Sequence, residues 1–273
     1  MHLLRLLPAL LLTGCLQFDA VVKVKPDGSG TVEEKVMMGG AMVSQMKAMT
    51  QAFGGDKAGG AKSPDLYDEA KAKAQAAKMG EGVTFVSGKK LTTPDGSEGF
   101  TATYAFADIN KLKLSTSPGD LAPGGAGGGM SFKGKGGEAP VVFQFTKGKT
   151  AELLVKPPQP KPDASTKAKK DAPSPEDAMQ EAMLPMMQQM LKDMHMTVVI
   201  EVQGNIVETN AQWRDASRIT LMDLDFNKVL ADPAKLKALT KIKDPNSSDA
   251  KALLKTVPGV KVETAETVKI KFQ

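Results

Sequence analysis

The stretch Val21-Val22-Lys23-Val24-Lys25-Pro26-Asp27-Gly28-Ser29-Gly30-Thr31-Val32-Glu33-Glu34-Lys35-Val36-Met37 decides the fold. Apolar and polar residues alternate over 21–25 and, less regularly, over 31–37, which is typical of strands with one buried face. Between these runs, Pro26 and Asp27 favour a turn, and the glycines tolerate positive φ. The stretch therefore predicts an antiparallel β-hairpin.

Other stretches show either this alternation or the spacing of amphipathic helices. The predicted strands are 83–86, 100–106, 111–117, 141–146, 150–156, 197–202, 206–209 after a bend at Gly204, 218–226 and 260–272. The predicted helices are 41–53, 63–79 with Leu66, Ala70, Ala74 and Ala77 buried, 175–194, 233–242 and 248–256. The predicted fold class is α+β, an antiparallel β-sheet with amphipathic helices packed on one face.

A targeting segment precedes the hairpin. Arg5 is followed by the apolar run Leu6–Leu12, small residues and Cys15, an order typical of a secretory signal. The run is too short to span a bilayer, which needs about 20 apolar residues. We favour this interpretation over a buried core thiol, the common alternative for a lone cysteine.

The residues Leu12-Thr13-Gly14-Cys15 resemble the lipobox of bacterial lipoproteins. The resemblance implies cleavage before Cys15, a diacylglycerol thioether on its sulfur and acylation of the new amino terminus. Several acyl chains make such an anchor effectively permanent. In enterobacterial lipoproteins an aspartate after the cysteine favours the inner membrane. Leu16 at that place therefore favours the outer membrane over the inner membrane.

Two segments interrupt the pattern of strands and helices. Residues 118–137 are Gly-rich, and residues 157–173 are rich in Pro, Lys and Asp, so we predict that both are mobile. The predicted organisation is a signal peptide (1–14), an N-terminal part of the ectodomain (15–156), a flexible linker or insertion (157–173) and a C-terminal part of the ectodomain (174–273).

Composition argues against several classes of function. The net charge of the 273 residues is +5, spread along the chain, and aromatic residues make up only 5%, so we expect no nucleic-acid partner. After signal removal, His195 is the sole histidine, and no motif typical of a nucleophilic, zinc-dependent or phosphate-binding enzyme is present. We therefore predict no enzymatic activity and no cofactor.

One acidic stretch partly matches a calcium loop. Asp223, Asp225 and Asn227 have the right spacing, but Lys228 occupies the glycine position and Ala234 the position of the bidentate glutamate. We interpret the stretch as a strand with acids on the wet face and with Met222, Leu224 and Phe226 inside.

Methionine is frequent, with 16 residues, and falls mainly on two predicted helices. These residues either fill the core, line an adaptable groove for acyl chains or a nonpolar segment, or bind Cu(I). The groove residues would be Met42, Met46, Met49, Phe53, Met183, Met187, Met190 and Met194. The copper ligands would be Met194, His195 and Met196.

Two stretches resemble bacterial lipoproteins of the LppM type: Asp27-Gly28-Ser29-Gly30 in the early hairpin, and the strand 198–202 running into Gly204-Asn205-Ile206-Val207-Glu208-Thr209-Asn210. Gln203 stands where that family often has proline. The resemblance implies an envelope lipoprotein whose exposed domain binds lipid or glycolipid. It implies no enzyme activity and transfers no binding residues.

These observations favour a non-enzymatic lipoprotein of the bacterial envelope. It would be held in the membrane by a diacylglyceryl cysteine and would bind a lipid, another hydrophobic ligand or an envelope partner. The alternative is a periplasmic, Met-rich Cu(I)-binding protein.

Overall fold

The computed structural model describes residues 16–53, 66–115, 140–157, 191–240 and 247–273. The strands are β1 (Leu16–Val24), β2 (Gly30–Met38), β3 (Thr84–Thr92), β4 (Glu98–Phe106), β5 (Val142–Thr146), β6 (Ala151–Lys156), β7 (Met194–Val202), β8 (Ile206–Thr209), β9 (Arg214–Asp215), β10 (Arg218–Asp225), β11 (Val260–Val262) and β12 (Val268–Phe272). The α-helices are α1 (Gly40–Phe53), α2 (Glu69–Lys78), α3 (Phe226–Leu230), α4 (Pro233–Thr240) and α5 (Ser248–Leu254), with a 3-10 helix at Ile109–Lys111. The signal peptide, the Gly-rich segment 118–137 and all but the first residue of 157–173 lie outside the described residues.

The hairpin predicted from the opening stretch is confirmed. β1 and β2 are antiparallel along their whole length, from Leu16 opposite Met38 to Val24 opposite Gly30. The Asp27 carboxylate accepts hydrogen bonds from the Ser29 amide at 3.0 Å and from the Ser29 hydroxyl at 2.7 Å, which closes the turn.

The strands form two sheets, and the α+β class is confirmed. In the first sheet the order is β11-β10-β7-β1-β2-β4-β3, with β9 paired to β10; in the second it is β5-β6-β12-β8. The predicted antiparallel pairing is confirmed except between β1 and β7, which are parallel, with Leu16 opposite Met194. Parallel neighbours need a long crossover connection, and local alternation does not show which distant strands pair in this way.

The chain changes sheet at the bend predicted at Gly204. A Cβ there would lie 2.6 Å from the Gln273 carbonyl oxygen, so the backbone approach admits only glycine. The predicted single strand 260–272 is instead two strands, because β11 pairs with β10 and β12 with β6 and β8. The predicted strand 111–117 is a short helical turn followed by isolated bridges at Leu112 and Leu114.

One core joins both sheets. The inner face of the first sheet, which carries Phe18 and Val22, belongs to the same apolar cluster as Leu153 and Ile270 of the second sheet. The sequence analysis predicted helices on one face of a single sheet and did not predict that a second sheet would share the core. α2 adds Ala76 and Met79 to the cluster.

The buried face of α2 differs from the prediction. Asp68 caps the helix by accepting from the amides of Ala70 and Lys71, so the helix begins later than predicted. Leu66 is buried as predicted, but Ala72 and Ala76 are buried in place of Ala70, Ala74 and Ala77. Of the described helices, none has the length and apolar character needed to cross a bilayer.

Candidate functional site

The candidate site lies at the end of the first sheet where β1 begins, which we call the anchor end. Leu16 is the first residue of β1 and directly follows Cys15 in the sequence. It lies between Met194 of β7 and Met38 of β2, and Met38 in turn lies opposite Glu98 of β4. Because side chains two residues apart share a face, Leu16 lies on the inner face with Phe18.

α1 packs against this row. It begins two residues after β2 ends, and its Val43, which is only 2% exposed, forms an apolar cluster with Met38 and Leu66. Met46 is partly buried against the same cluster. The Lys47 Nζ lies 2.7 Å from Glu98 Oε1, and this ion pair ties the helix to the start of β4.

The groove residues predicted from the sequence are only partly described. Met42 is 36% exposed on α1, and Met46 lies beside it one turn later. Met49 and Phe53 belong to α1, but their side chains lie outside the described part of the structure. Met183, Met187, Met190 and Cys15 lie outside the described residues.

Met194 corrects the prediction of a helix that extends to this residue. It is the first residue of β7 and is buried at 7% exposure. Asp193 has a φ of +62°, a left-handed conformation that ends a helical turn, and its amide donates to Asn227 Oδ1 at 2.9 Å. Pairing with β1 from Met194 and with β10 from His195 then fixes an extended backbone.

The structure thus places Met194, Leu16 and Met38 in one row across three neighbouring strands, and α1 packs against the Met38 end of that row. We call Leu16, Met38, Met42, Met46 and Met194 the anchor-end patch. Sequence reasoning missed Leu16 and Met38. The signal that could have found them is the alternation of 21–25 and 31–37 extended outward to both residues.

The proposed copper ligands do not face one another. On β7, Met194 and Met196 lie on the inner face, whereas His195 lies on the outer face, where its Nε2 is 2.7 Å from Asp223 Oδ1. The Lys261 Nζ lies 3.5 Å from the other oxygen of Asp223. Within the described ranges, no group of three or more His, Cys, Asp or Glu residues could hold a metal ion.

The acids of the rejected calcium loop each have a separate structural partner. Asp225 caps α3 by accepting from the Lys228 amide at 3.3 Å, and Asn227 donates to Asp193 Oδ1 at 2.8 Å. Desolvation raises the pKa of Asp225, but hydrogen bonds from Lys228 outweigh it and lower the pKa overall. The predicted strand is confirmed as far as Asp225, whereas Phe226 is the first residue of α3. Met222, Leu224 and Phe226 are partly buried against the core.

A buried acid that the sequence analysis did not single out lies on the inner face. Glu34 is 4% exposed, and its cross-strand neighbours Ala20 and Ala102 leave room for the carboxyl group. Burial raises the pKa of Glu34 to about 7, although a hydrogen bond from the Tyr104 hydroxyl opposes the rise. Burial and the nearby Glu34 also raise the pKa of Tyr104.

Among solved structures, the chain is similar to the NMR structure of the folded domain of LppM from Mycobacterium tuberculosis. The TM-score is 0.34 with 10% sequence identity, over 96% of this chain and 91% of that chain. No family model matches the chain, and no curated protein matches it.

Proposed function

We propose that this chain is a non-enzymatic lipoprotein of the bacterial envelope, anchored through Cys15, which binds a lipid or another hydrophobic ligand at the anchor-end patch. The observation that carries the proposal is the position of Leu16. It directly follows the lipobox cysteine and lies in one row with Met38 and Met194. Apolar side chains on both neighbouring strands therefore flank the residue that would follow the acylated cysteine.

The chemistry of methionine suits this role. Its unbranched thioether chain adapts to partners of different shape, as a surface that accepts varied acyl chains must do. Met42 and Met46 offer such side chains on α1, one exposed and one partly buried. As Leu16 is the residue after the cysteine, we further propose the outer membrane as the location.

The anchor can be tested by fractionation. We expect the wild-type chain to stay with the envelope through alkaline and high-salt washing, and Cys15→Ala to leave the membrane fraction, because the thioether needs the sulfur. If Cys15→Ala sediments with the envelope under the same washing, the anchor is not at Cys15.

The ligand can be tested by mass spectrometry of organic extracts, which separate bound lipid from covalently attached acyl chains. We expect the purified wild-type chain to carry lipid or to take it up from envelope extract. Met42→Glu should lose it, because a charge in an apolar site is costly to desolvate.

The matched control for the ligand is Val86→Glu, which places the same charge on a side chain 56% exposed in β3. It should retain the lipid. A wild-type chain that carries none and gains none contradicts the proposed ligand.

A further inference from the structure

We propose that α1 lies against the bilayer surface that holds the Cys15 lipid, with Met42 turned toward the lipid. This inference rests on the proposed anchor at Cys15 and adds the orientation of the protein on the membrane. The partner is the lipid surface itself.

The first step is the length of chain between the anchor and the fold. Cys15 directly precedes Leu16 in the sequence, and one residue extends a chain by no more than about 3.8 Å, so no further residue separates the proposed anchor from β1. Leu16 is already paired in register with Met38 and Met194 on both sides. No linker separates the lipid from the sheet, so the anchor end must remain at the membrane surface.

The second step is which elements lie at the anchor end. β2 ends at Met38 beside Leu16, and α1 begins at Gly40, so the helix starts at this same end. The hairpin turn around Asp27 lies at the other end of β1, about 27 Å away at the usual rise per strand residue. The β3–β4 turn at 93–97 shares the anchor end with α1, because Glu98 lies opposite both Met38 and Thr92. The membrane therefore meets this end, where α1 presents an exposed methionine, and not the β1–β2 turn.

The third step is the orientation of α1. At about 100° per residue, Val43 is rotated by about 100° from Met42, and Met46 by only about 40°. Val43 is 2% exposed and faces the core, whereas Met42 is 36% exposed. Met42 is thus turned away from the direction of deepest burial, and Met46 lies between Met42 and Val43. The exposed Ser44 lies about 160° around the helix from Met42.

The test uses spin labels on the lipidated full-length chain in vesicles of equal parts phosphatidylethanolamine and phosphatidylglycerol. Cys15 is the sole cysteine and would be acylated, so an introduced cysteine is the free thiol. Met42→Cys probes the proposed contact. Two exposed positions serve as controls, Ser44→Cys on the opposite side of α1 and Lys25→Cys at the hairpin turn.

We expect collisions with a water-soluble nickel chelate to be several-fold less frequent at position 42 than at 44 and 25, and collisions with oxygen to be more frequent at position 42. Equal nickel accessibility at the three positions, in protein that floats with the vesicles, overturns the orientation and leaves the anchor intact. Protein that does not float with the vesicles overturns both the anchor and the orientation.

Discussion

At the scale of single residues, Glu34 is the most informative position. Buried and partly exposed residues alternate along its strand, β2. At position 34, however, the buried side chain is a carboxylic acid and not an apolar group. The ordinary pKa of 4.5 applies in the unfolded chain, and burial raises the pKa to about 7 in the folded protein. The folded state therefore binds the proton more tightly than the unfolded state, and stability falls as the pH rises from about 4.5 to about 7.

Glu34→Gln should remove this dependence. The pKa difference corresponds to about 3 kcal/mol. We therefore expect the variant to gain about 3 kcal/mol in free energy of unfolding over wild type when the pH is raised from about 4 to about 8. Urea unfolding at the two pH values measures it. Any constant effect of the amide cancels, because only the change with pH is compared.

The control is Glu33→Gln on the same strand. Glu33 lies on the outer face, paired with Lys23 at 2.7 Å, and its side chain is 44% exposed. We expect no comparable gain in stability at high pH. If the two variants show the same pH dependence, Glu34 does not titrate as a buried acid.

At the scale of elements, the hairpin turn between β1 and β2 also contacts the second sheet. Gly28 has a φ of +87°, and a Cβ there would lie 2.7 Å from two ring carbons of Phe145. Gly82 has a similar φ of +77° but has no atom within 4 Å of the equivalent Cβ position. Both glycines therefore need a positive φ, but only at Gly28 would an added Cβ also clash with a neighbouring side chain.

Both Gly28→Ala and Gly82→Ala should destabilise the fold, because a left-handed backbone costs about 1 to 2 kcal/mol for a residue with a Cβ. Gly28→Ala should lose a further amount of about 1 to 3 kcal/mol, as overpacking of a well-filled site does. Urea unfolding of the two variants gives the difference directly. Equal losses would show that the turn does not pack tightly on Phe145.

The elements also show what local sequence can predict. The hairpins follow from alternation and turn residues, since both signals lie within a few positions of each other. The buried face of α2 could not be predicted in the same way, because alanine occurs at 70, 72, 74, 76 and 77 and several helical phases fit equally well. The capping residue Asp68 and contact with the core decide the phase.

At the scale of the whole molecule, long-range pairing limits what the sequence can predict. β1 and β7 are separated by more than half of the chain, and the alternation within each strand suits many partners. That pairing places Met194 beside Leu16. The anchor-end patch could be predicted only in part, through Met42, Met46 and Met194, because the places of Leu16 and Met38 depend on which strands pair. Likewise, His195 can be placed on the opposite face from Met194 and Met196 only when the segment is known to be a strand and not a helix.

Because the two sheets share one apolar cluster, they should unfold together. Ile270 is fully buried in β12 of the second sheet, whereas Trp213, the sole tryptophan, lies at the edge of the first sheet and donates to the Val262 carbonyl at 3.3 Å. Ile270→Ala should lower stability by about 2 to 5 kcal/mol. The loss should move the Trp213 fluorescence transition and the far-UV circular dichroism transition in urea by the same amount.

Val207→Ala provides the comparison, because Val207 is 51% exposed in the same sheet and its truncation should change stability by less than about 0.5 kcal/mol. A transition of Trp213 fluorescence that stays in place while circular dichroism reports earlier unfolding in Ile270→Ala would mean that the sheets unfold separately. Coincident transitions would mean that the two sheets unfold as one unit. A substitution that destabilises the second sheet would then also destabilise β1 and the anchor-end patch, because both sheets share one apolar core.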